Sequence, residues 1–102
     1  MFWENKEVQI WNRGFEYKNE LKQTLYKEPT LEITLMADVQ PLSREEVVTM
    51  LGVDAEAEYR VFMSYEPKVE GQYLVYKSRQ YDIKKVFDWD DYSEVIISER
   101  RV

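Results

Sequence analysis

Side chains able to do chemistry are unevenly supplied in this sequence: 20 Asp and Glu, 14 Lys and Arg, and no His or Cys. Disulfides and zinc sites of the Cys/His type are thereby excluded. Nucleophilic and phosphoryl chemistry also lose their usual parts, since no Gly-rich phosphate loop stands beside the missing His and Cys. Asp88, Asp90 and Asp91 can be read as an oxygen-ligand cluster for a divalent cation. Their segment lacks the glycine and bidentate Glu of an EF-hand loop, and Asp in a hairpin turn is ordinary turn chemistry. No Asp or Glu stands alone in an apolar stretch that would raise its pKa for acid–base work. The sequence therefore assigns no catalytic, cofactor-binding or metal-ligating residue, and an enzyme is not expected.

Trp3, Trp11 and Trp89 suggest a platform for stacking bases, but the basic residues interleaved in such platforms are missing. Packing at the core and rim is the expected role of all three. Lys77, Arg79, Lys84 and Lys85 are the only cationic concentration before the C-terminus, and they read as a solvated hairpin. The net charge of −6 argues against sequence-specific nucleic-acid binding, which draws its affinity from counterion release. An acidic protein can still sit beside DNA if its task is to let DNA slide past. The first residues lack the basic and apolar regions of a signal peptide, and no apolar run is long enough to span a bilayer. Absence of Cys fits a reducing compartment. A soluble cytoplasmic product is expected.

These residues must be positioned by a mostly β chain. One hundred and two residues with 44% hydrophobic and 15% aromatic content suit a single small domain, 1–102, rather than two. Val8 and Ile10 alternate with Gln9 and Trp11 up to a turn at Asn12-Arg13-Gly14. From Phe15 to Lys27 two readings stay open. Tyr17, Leu21 and Leu25 fit a helical stripe, while Phe15-Glu16-Tyr17 fits a strand resuming after the turn in a hairpin with a mobile tip.

The clearest period of two runs from Leu31 through Ile33, Leu35 and Ala37 to Val39, and Pro41 ends that strand. Ser43 and Glu46 then spell a capping box, and Gly52 closes about two helical turns in the left-handed region. So short a helix must dock through Val47 and Leu51 or wait for a partner. The segment at about 41–52 is thus a loop-helix insertion, expected to project and to be more mobile than the strands around it.

A meander follows. Tyr59, Val61, Met63 and Tyr65 share a face, Gly71 turns the chain, and Tyr73 to Tyr76 is apolar on both sides. Lys77-Ser78-Arg79 makes a tight turn, a phase slip between Ile83 and Val86 suggests a bulge, and Asp88 to Tyr92 forms the last turn before Ser93–Ser98. The fold class is mainly β: a small antiparallel β-barrel or rolled sheet with one short helix in a loop. Ile33, Leu35, Val61, Tyr73, Ile83 and Ile97 are expected to be buried.

The run Met36-Ala37-Asp38-Val39-Gln40-Pro41-Leu42-Ser43, the helix after it, and Tyr59-Arg60-Val61-Phe62-Met63 resemble the small head–tail joining proteins of tailed bacteriophages and prophages. The meander is similar too, in Gly71 to Lys77 and Tyr81 to Val86. The resemblance implies a non-enzymatic β-barrel that forms a homo-oligomeric ring beneath the portal and adaptor. Such a head-closure ring, or stopper, holds packaged DNA in and docks the tail. It also implies a location in the virion connector, with the host cytoplasm during assembly, and DNA passing through the ring without sequence-specific binding. Pro41, Leu42, Val48, Met50, Arg79, Arg100 and Arg101 are the candidate partner-binding residues, the partners being portal, adaptor and tail-completion proteins. A cytoplasmic adaptor or inhibitor domain that meets one protein partner is the alternative reading.

Overall fold

The structure, a computed structural model, describes residues 6–100. Trp3 and Arg101 lie outside the described residues. Eight strands and one helix occur in the order β1 (Lys6–Asn12), β2 (Phe15–Lys18), β3 (Thr24–Lys27), β4 (Thr30–Pro41), α1 (Arg44–Leu51), β5 (Tyr59–Met63), β6 (Gln72–Tyr76), β7 (Arg79–Asp88) and β8 (Ser93–Glu99). Six of the strands close into an antiparallel barrel in the order β1-β4-β5-β8-β7-β6. The other two, β2 and β3, form a separate two-stranded ribbon. The hairpin reading of Phe15 to Lys27 therefore holds, and the helical stripe does not form.

Local chemistry explains the corners. Lys77 and Ser78 have φ of 52° and 63°, the left-handed pair of a two-residue hairpin whose twist matches its strands. The register of β7 against β8 shifts between Ile83 and Lys85, so the phase slip in the sequence is a real bulge. Asp88 and Asp90 build the last turn from within, the Asp90 N–H donating to Asp88 Oδ1 at 3.0 Å. At Gly52 φ is 106° but ψ is 169°. Glycine is needed for the positive φ, yet the residue is not in the left-handed helical region expected of it.

Val8, Ile10, Val61, Met63, Leu74, Val95 and Ile97 fill the barrel, with Ile83 beside them. Tyr59 stands edge-on to both Tyr76 and Tyr81, at 5.8 Å from each, and these three rings close the barrel interior toward α1. Burial raises the pKa of the Tyr81 hydroxyl, with the neighbouring Tyr59 adding to the shift.

The expectation of burial needs correction at Ile33 and Leu35 and holds at Tyr73. Ile33 and Leu35 point inward but are only half-buried, and Leu31 is exposed. The first part of β4 pairs with β1 alone, because β5 joins β4 only from Asp38 to Pro41. Tyr73 is buried, but outside the barrel interior that Leu74 and Tyr76 fill. Its ring stacks on Trp11, 6.4 Å between centroids, and the Arg13 guanidinium lies 5.5 Å from it.

Candidate interaction surface

The residues expected to meet partners fall into two groups. Pro41, Leu42, Val48 and Met50 sit on α1 and the end of β4, with Pro41 exposed and the other three half-buried. Arg79 opens β7, and Arg100 follows the end of β8. The Arg79 side chain is 67% exposed and 3.7 Å from Glu99, an open surface pair. Arg100 lines a shallow groove with Arg13, Gly14, Tyr26, Pro29 and Tyr73. The structure thus brings the first four residues together on one connection and places the two arginines on other strands.

α1 forms as its sequence demands. The Glu46 N–H donates to Ser43 Oγ at 3.2 Å, and the Ser43 N–H returns a bond to Glu46 Oε1 at 3.3 Å. The Ser43 N–H first and then the Ser43 hydroxyl, which donates to Glu46 Oε1 at 3.1 Å, hold the Glu46 carboxyl below its ordinary range, and Arg60 contributes in the same direction. The helix is also fastened to the barrel. Val47 is buried, Arg60 Nη2 lies 2.6 Å from Glu46 Oε2, and Arg60 Nε lies 2.8 Å from Glu94 Oε2. The Nε contact is a close ion pair off the hydrogen-bond line. Arg44 clamps the return, donating to the carbonyls of Val53 and Ala55. The segment therefore docks through Val47, one of the two residues the sequence offered for that task, rather than standing clear of the barrel.

The larger unsatisfied surface lies elsewhere. All eight residues of β2 and β3 are exposed. Phe15 pairs with Lys27 and Tyr17 with Leu25, so strand alternation places these four on one face of the ribbon. Phe15 is 52% exposed, and Leu21 at the tip is 78% exposed. The Phe15 and Tyr17 rings are 5.9 Å apart, and Lys27 Nζ lies 5.8 Å from the Phe15 ring.

The tip is built by Asn19. Its Oδ1 accepts from the N–H of Leu21 and of Gln23, each at 3.0 Å, while its backbone carbonyl accepts from Lys22. At the root, a Cβ on Gly14 would come within 2.5 Å of the Lys27 carbonyl oxygen, so only glycine lets the two strands of the neck close. The sequence did carry a signal for this surface. Three large apolar residues at alternate positions across a turn, with no second apolar face to pair them, mark a ribbon without a core.

On the far side of the barrel a second apolar ridge runs from half-buried Phe87 to exposed Trp89. Lys85 lies 4.9 Å from the Phe87 ring, and Phe87 stacks on Trp89 at 6.1 Å. The Trp89 indole N–H donates to Glu94 at 3.1 Å, yet the side chain remains 51% exposed. Trp89 is thus a surface residue, whereas Trp11 packs as expected. Among the described residues no three His, Cys, Asp or Glu converge as metal ligands, and no helix is long and apolar enough to cross a membrane.

Residues 5–99 match the family of phage head completion proteins, and the chain belongs to that family. No curated protein matches it by sequence. Its fold is similar to the solution structure of protein SF1141 from Shigella flexneri 2a, with a TM-score of 0.70 and 14% identity over 93% of this chain and 91% of the other. At that identity the likeness is one of fold. The closed antiparallel barrel with one short helix agrees with the fold class read from the sequence.

Proposed function

We propose that this member of the phage head completion family is a non-enzymatic connector component, forming a ring below the portal or adaptor that closes the filled head and docks the tail. One observation carries the reading: an apolar ribbon, β2–β3, standing outside a closed barrel whose interior is already filled. An isolated two-stranded ribbon is marginal in water, so its stability and its apolar face both call for a neighbouring surface. Barrel closure supports the same role by leaving no open edge on the main sheet for unplanned pairing. The excess of acidic side chains suits a lumen through which DNA must pass without sticking.

α1 supplies a second contact in this proposal. Val47 anchors the helix, while Val48 and Met50 stay partly open at the barrel end where Pro41 and Leu42 lead into it. Electron microscopy of connectors made with and without the protein tests the ring directly. The sharper test is Val48→Ser with Met50→Ser. Because both side chains are only half-buried, the melting temperature should fall by a few degrees at most. Incorporation into the connector should be lost, giving heads that leak DNA or fail to take tails. Normal incorporation of the folded double variant would remove the helix from the contact.

A further inference from the structure

The two exposed apolar features leave from the same end of the antiparallel barrel, at the β1–β4 and β7–β8 connections. In the order β1-β4-β5-β8-β7-β6, those connections are three strands apart around a six-stranded ring, which is halfway round. One feature protrudes, with Phe15, Tyr17 and Leu25 on the face that carries Lys27 as its only charge. The other is the Phe87–Trp89 ridge, half-buried at Phe87 and exposed at Trp89, with the Lys85 ammonium over the Phe87 ring and exposed Asp88, Asp90 and Asp91 in the turn that carries Trp89.

We infer that the β2–β3 ribbon of one copy docks on the Trp89 ridge of the next, its Phe15–Tyr17–Leu25 face against the stacked rings and Lys27 toward the Asp-rich turn. The occupant is a second copy of this chain because the two surfaces match in the three respects a head-to-tail contact needs. They are different patches, they lie on opposite flanks, and the ribbon's Lys27 has an acidic turn to meet beside Trp89. A self-complementary contact would need one patch that matches itself. The ribbon face meets that poorly, since it carries no acidic side chain to set against the partner copy's lysine. Head-to-tail contacts between patches on opposite flanks generate closed rings when the rotation closes. The inference rests on the ring proposed above and specifies its lateral contact.

The chain has no native Cys, so a disulfide can report the contact without background. Lys27→Cys and Asp91→Cys are introduced into the same full-length chain, with Leu25→Cys and Asp91→Cys as a second placement if the first does not fold. Assembled connectors are oxidised and run on a non-reducing gel. A ladder of covalent dimers, trimers and larger multiples is expected, collapsing with reductant, and each single-Cys chain should give no ladder. Dimers from Lys27→Cys alone would overturn the inference by showing ribbon against ribbon. Connectors with several copies and no cross-link in either placement would overturn it while leaving the ring intact. Connectors with one copy each, counted by gel densitometry, would remove the ring and this contact together.

Discussion

Val61 and Ile33 both point into the barrel, but only Val61 has lost all contact with water. Val61→Asp should therefore abolish folding, because an unpaired buried carboxylate costs several kcal/mol, on the order of a small domain's whole stability. Ile33→Asp should leave a folded protein with a lowered melting temperature, since that carboxylate can reach solvent; thermal unfolding of the two variants separates the cases. Alternation along the strand was enough to place both side chains on the inner face. It could not report that β5 reaches only the last four residues of β4, and that pairing decides their burial. Glu46 gives a second test at this scale. Its folded pKa lies below the ordinary value of 4.5, so its stabilisation is present above that value and is lost as pH falls through the lowered one. Circular dichroism should show α1 fraying on acidification, and Glu46→Gln should flatten that dependence at the cost of a weaker cap at neutral pH.

Among the elements, the ribbon and the helix were legible to different degrees, for a physical reason. α1 announces itself because a capping box and a terminal glycine are local signals, written within ten residues. The β2–β3 ribbon has no such punctuation beyond Gly14, and Tyr17, Leu21 and Leu25 fit a helical period as well as a strand. What settles it is Asn19, whose side chain satisfies two backbone donors at the tip. Asn19→Ala should accordingly cut amide protection across residues 15–27 severalfold in hydrogen exchange, while the melting temperature of the barrel stays within about 2 °C. A large loss of global stability would mean that the ribbon supports the barrel, contrary to its uncovered faces. The docking of α1 was half legible. Val47 and Leu51 were the candidates, and the Arg60 bridge to Glu46 and Glu94 joins residues too distant in sequence for any periodicity to reveal.

As a whole molecule, the protein combines a filled barrel, a net charge of −6 and two apolar patches on opposite flanks. In free solution the like charges oppose association and no template aligns the patches, so light scattering at micromolar concentration should report a monomer or a weak oligomer. A stable large ring in isolation would contradict assembly on a portal-side partner. An antiparallel barrel or rolled sheet with one short helix was readable from alternation and turn chemistry, whereas the closure and the strand order come from the structure. The exposure of the ribbon and of Trp89 was less readable, because solvent exposure is set by which elements fail to find neighbours. One element joins the ribbon to the helix. β4 runs 12 residues, about 40 Å when extended, from the root of the ribbon to the threshold of α1. A pull delivered at the ribbon is thus carried by one continuous strand to the helix, along the direction in which its ladder of hydrogen bonds must slide together rather than unzip singly. That makes β4 a tie-rod, and it lets tension at one end of the molecule be felt at the other without any change of fold between them.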